Sequence, residues 1–85
     1  MKAKRAFHLI ASREGVGPAF LADERRLDRI EVVSIDDGEV VLFWELPAKQ
    51  AAKIAKEVRS DLIALDAGDF IELWEGRDVR AEPRR

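Results

Sequence analysis

The spacing of apolar residues changes character several times along the chain, and each change marks an element. Residues 5–12 alternate, with Phe7, Leu9 and Ala11 against Ala6, His8 and Ile10, which reads as a short strand with two fairly apolar faces. Residues 13–18 hold Gly15, Gly17 and Pro18 and read as a loop. Pro18 suits the first position of a short helix over residues 18–26, although the apolar residues there keep no clean helical spacing.

Two β-branched and aromatic runs follow, residues 27–35 and 40–46, on either side of Asp37-Gly38. That dipeptide predicts a hairpin with a type I′ turn, which requires positive φ at both central positions. In the resulting register Val33 faces Leu42 and Glu31 faces Trp44 on one side, while Val32 faces Phe43 and Ile30 faces Glu45 on the other. Pro47 then opens a helix running to about Asp66. Ala51, Ile54, Ala55, Val58, Leu62 and Leu65 draw the apolar stripe of a helix lying on a sheet. Gly68 is placed to end that helix in a left-handed conformation, and residues 69–75, with Phe70, Ile71, Leu73 and Trp74, read as a last strand. Residues 77–85 contain one large apolar side chain and read as a flexible charged C-terminal tail, leaving residues 1–76 as a single domain.

The expected order is β, short α or loop, β, β, α, β: an α+β two-layer sandwich, with a four-stranded mixed sheet and one long helix on one face. A helical crossover between the third and fourth strands is right-handed and makes that pair parallel. One helix covers one face only. Val41, Phe43 and their neighbours leave a second apolar face, covered either by the segment around Phe20 and Leu21 or by a second copy or partner protein. Trp44 and Trp74, each flanked by acidic neighbours, read as half-packed border residues. With Phe43 and Phe70 they form the candidate interface.

Size sharpens that expectation. Eighty-five residues make one small domain, which buries only about 60 to 65% of its unfolded surface and gains from oligomerisation. With no Cys there is no disulfide framework, thiolate zinc site or thiol nucleophile, and a reducing, cytoplasmic home is the natural expectation. No run of apolar residues is long enough to span a bilayer. The basic lead-in of Lys2, Lys4 and Arg5 resembles a signal peptide, but His8 interrupts the short apolar run behind it. Ten Arg against five Lys, with abundant Ala, fits a bacterial genome rich in GC.

The parts for catalysis are few. His8 is the only histidine, and Ser12, Ser34 and Ser60 are the only hydroxyl side chains. Ser12 shares a strand face with His8 but lies roughly 13 Å along it, too far for direct proton transfer. His8 is therefore read as structural, and no enzyme activity is expected. Asp36-Asp37-Gly38-Glu39 lacks the spacing of a calcium loop and is explained by turn chemistry. Gly15-Val16-Gly17-Pro18 lacks the third glycine and the Gly-Lys-Ser or Gly-Lys-Thr of phosphate loops. No metal and no cofactor are expected.

Lys49, Lys53, Lys56 and Arg59 recur along the long helix as a basic stripe, the kind of surface to which nucleic acid attaches. Glu57, Asp61 and Asp66 dilute it, so a solvated helix face is the simpler reading. Charge is segregated, with four basic residues and no acid in residues 1–13, and six acids against Arg29 in residues 28–46. The favoured function is a self-associating, non-catalytic interaction or accessory module. The alternative is a nucleic-acid-binding module using the helix stripe and the basic N-terminus.

Overall fold

The computed structural model describes residues 1–13 and 27–79. The fold is α+β: a three-stranded antiparallel sheet in the order β1-β2-β3, formed by Phe7–Arg13, Leu27–Ser34 and Val40–Pro47. Among the described residues three helices accompany it: α1 (Ala3–Ala6), α2 (Ala48–Ala64) and α3 (Ala67–Glu75). The loop and short helix expected over residues 14–26, with the cover they were to give the second sheet face, lie outside the described residues.

The long helix forms where its periodicity places it. Pro47 occupies the N-cap, where its missing N–H costs nothing, and Ala51, Ile54, Ala55, Val58 and Leu62 are all buried. This stripe contacts all three strands. The helix stops at Leu65, whose backbone turns extended at φ −102°, and not at Gly68.

Residues 69–75 are helix, which removes the expected fourth strand, its parallel pairing and the mixed sheet. Spacing explains the outcome. As a strand, Glu72 would share a face with Phe70 and Trp74, burying a carboxylate between two rings. Wound at 3.6 residues per turn, Phe70 and Trp74 stack one turn apart on the buried side, while Asp69, Glu72 and Glu75 all reach solvent. Gly68 lies in the first turn of α3, and Asp69 there complements the helix dipole.

The hairpin departs from a type I′ turn in a way that changes its register. Among the described residues Gly38 alone has positive φ, at 75°, so Asp37 cannot be the first residue of such a turn. Instead a four-residue loop, Ile35 to Gly38, is closed by Ser34 N–H donating to Glu39 O at 2.8 Å and Gly38 N–H donating to Ser34 O at 2.9 Å. The Asp37 carboxylate accepts from the Glu39 N–H at 3.0 Å. Beyond the loop a bulge at Val32/Val33 leaves Val41 as the extra residue. The strands therefore pair Ile30 with Trp44 and Glu31 with Phe43, one residue from the expected register. A shift by one exchanges the faces. Ile30 and Val32 join Leu42, Trp44 and Leu46 on the side covered by α2, and Glu31 turns outward.

The core consequently holds both indoles. Trp44 is 9% and Trp74 1% exposed, and their rings meet edge to face with centroids 5.6 Å apart. Phe70, fully buried, lies 6.4 Å from Trp74 and stacks on Phe7 at 5.7 Å, so an aromatic row joins β1 to β3 through α3. The N-terminus seals this layer. Ala3, fully buried, donates its N–H to Leu65 O, and Ala67 N–H donates to Met1 O, both at 2.9 Å. The first residues of the expected tail are also packed: Gln50 Nε2 donates to Val79 O at 3.1 Å, and the Val79 side chain is buried.

Candidate interaction surfaces

Of the four residues expected at an interface, Trp44, Trp74 and Phe70 are buried in the chain's own core, because the register and α3 turn them inward. The border reading of the two indoles is thereby corrected. Phe43 is the one of the four left with substantial exposure, at 50%.

Phe43 belongs to the sheet face opposite α2. Along that face Ile10, Glu31 and Phe43 form one row across the three strands, and Ser12, Arg29 and Glu45 form the next. His8, Val33 and Val40 form a third row on the hairpin side. Ile10 is 41%, Val40 51% and Leu27 39% exposed, and Ile35 at the loop is 52% exposed. Val33, in the third row, is 8% exposed, so the apolar exposure of this face lies on its outer strands and at its ends. The alternation of apolar residues implies two apolar faces, but the grouping of Ile10 with Phe43 follows only from the pairing of each with Glu31.

Lys49, Lys53, Lys56 and Arg59 are all exposed on α2, on the side away from the sheet. Glu57 and Asp61 do not lie among them. Glu57 Oε2 accepts from Arg77 Nη2 at 3.0 Å, and Asp61 Oδ2 accepts from the Trp74 indole N–H at 3.0 Å. The Arg77 guanidinium also stands 4.6 Å from the centroid of the Trp74 ring. Both carboxylates are thus turned toward α3 and the segment after it. Asp66 lies past the end of α2, in a backbone bridge with Lys2, whose Nζ donates to Ala64 O at 3.2 Å.

The remaining candidates for chemistry are dispersed. His8 is exposed on β1 with Val33 opposite it, and Ser12 and Ser60 are exposed on different elements. No group of three His, Asp or Glu side chains among the described residues is arranged to hold a metal. Asp69, Glu72, Leu73, Gly76 and Arg77 line a depression that is wide open to solvent. No helix of the described residues is long and apolar enough to cross a membrane. Compared with known protein families, with curated proteins and with solved structures, the chain matches none.

Proposed function

We propose that this protein is a non-catalytic interaction module of the bacterial cytoplasm that pairs with a second copy of itself through the outer face of its sheet, serving as an accessory or regulatory component. The observation that carries the reading is Phe43, half exposed at the middle of an edge strand and set in a row with the exposed Ile10. Large aromatics in such positions anchor interfaces.

The charges on the same face favour a second copy over an unrelated partner. Arg29 lies between Ser12 and Glu45, and next to the row holding Glu31, so both signs occur within one patch. A twofold axis through such a patch sets Arg29 of each copy against the carboxylates of the other, and the surface is its own complement. The gain is large for a domain of this size, whose single core is close to the minimum that folds alone.

Light scattering over a dilution series tests the proposal. A mass of two chains at high concentration that falls toward one chain on dilution supports it, and Phe43→Glu shifts the equilibrium to one chain with unchanged circular dichroism. A wild-type mass of one chain at every concentration overturns it.

A further inference from the structure

We infer that the solvent face of α2 is a docking surface for the sugar–phosphate backbone of nucleic acid, bound without preference for base sequence. At 100° per residue, Lys49, Lys53 and Lys56 fall within about 60° of one another on the helix, and Arg59 lies about 60° to one side. The four cations extend over about 15 Å of the helix axis. That density suits one strand of duplex, which presents a phosphate about every 3.4 Å.

The acids on the same helix stand to one flank of the stripe and do not interrupt it. Glu57 and Asp61 occupy the flank toward α3, where Arg77 and the Trp74 indole engage them. No ion pair joins any of the four cations to a described carboxylate. Lys2, held at the Ala64 carbonyl, adds a positive charge at the C-terminal end of the same helix.

Phosphate is favoured over the other polyanionic partners by what lies between the cations. A helix that lies in a membrane surface interleaves its basic residues with bulky apolar ones that enter the acyl region. Here Ala52 and Ser60 lie between the cations, and Ile63, exposed on the same face one turn past Arg59, is its single bulky apolar residue.

Fluorescence anisotropy with labelled short DNA of mixed sequence, duplex and single-stranded, tests the inference between about 50 and about 200 mM salt. Binding is expected, with log K falling against log salt at a slope of about −3 to −4 per chain for duplex. Lys53→Gln with Lys56→Gln weakens it by about tenfold and flattens the slope by about 2. Lys49→Gln with Arg59→Gln does the same, so that misfolding of one variant leaves the other to decide. Both pairs keep the wild-type mass, which separates this surface from the sheet face. The inference is overturned by no binding at the lowest salt, by variants that bind like the wild type, or by binding to vesicles containing phosphatidylserine in preference to DNA.

Discussion

The indole N–H of Trp74 donates to the Asp61 carboxylate at 3.0 Å, and through it α3 is fastened to the last turn of the long helix. The same ring carries the Arg77 guanidinium on its face and meets Trp44 at its other side. One residue thus ties α2, α3, β3 and the segment after α3 together. A hydrogen bond to a charged group contributes about 1.5 to 3 kcal/mol, less where water reaches it. Asp61→Ala therefore lowers stability by about 1 to 2 kcal/mol, whereas Arg77→Ala, which loses a partly exposed pair with Glu57 and a contact with the Trp74 ring, costs less, about 1 kcal/mol or under. Urea unfolding of the two variants gives the comparison, and equal losses contradict it.

Two glycines, one in the hairpin loop and one in the first turn of α3, should respond with opposite sign. Gly38 has φ 75°, where a side chain is strained, so Gly38→Ala destabilises by about 1 kcal/mol. Gly68 lies in a helical turn with open space where a Cβ would stand, so Gly68→Ala stabilises by about 0.4 to 1 kcal/mol. Thermal melts distinguish the cases. A loss of stability in Gly68→Ala would return that residue to a left-handed helix end and put residues 69–75 back in doubt.

Burial of the α2 stripe makes a sharper demand. Val58 is fully buried and Leu62 nearly so, and an aspartate at either point sets a charge against the sheet. The cost exceeds about 4 kcal/mol, a large part of what a domain of this size possesses. Val58→Asp and Leu62→Asp are expected to lose cooperative unfolding and near-ultraviolet dichroism. Retention of a wild-type melt by both would show that the stripe does not face the core.

Both tryptophans are buried within one chain, so their emission reports folding and not association. Acrylamide should quench them weakly, and to the same degree across dilution. Quenching that rises as the protein is diluted would place an indole at the interface after all.

Much of this architecture is legible from the sequence, and the misreadings have identifiable causes. The stripe from Ala51 to Leu62 admits one interpretation, because no strand buries positions three and four residues apart. The hairpin is legible as an element but not in register: Asp37-Gly38 is compatible with a two-residue or a four-residue loop, and Ile35, β-branched and exposed, reads as a continuation of β2. That single residue of register decides whether Trp44 faces Glu31 or Ile30, and with it whether the indole is surface or core. In α3 the aromatic and β-branched composition favours a strand locally, and packing of Phe70 against Phe7 and of Trp74 against Trp44 and Asp61 overrides it. The basic stripe is legible in spacing alone, but the engagement of Glu57 and Asp61 on its flank depends on α3, whose composition favours a strand, and on the segment after it.

The most direct test of pairing through the sheet is an isotope-filtered nuclear Overhauser experiment on a mixture of carbon-13-labelled and unlabelled chains. Cross-peaks between copies, linking the Phe43 ring to the methyl groups of Ile10, Val40 or Leu27, are the predicted result, and they should vanish in Phe43→Glu. Intermolecular cross-peaks confined to α2 or α3, or none at a concentration where relaxation reports a single chain, would contradict it.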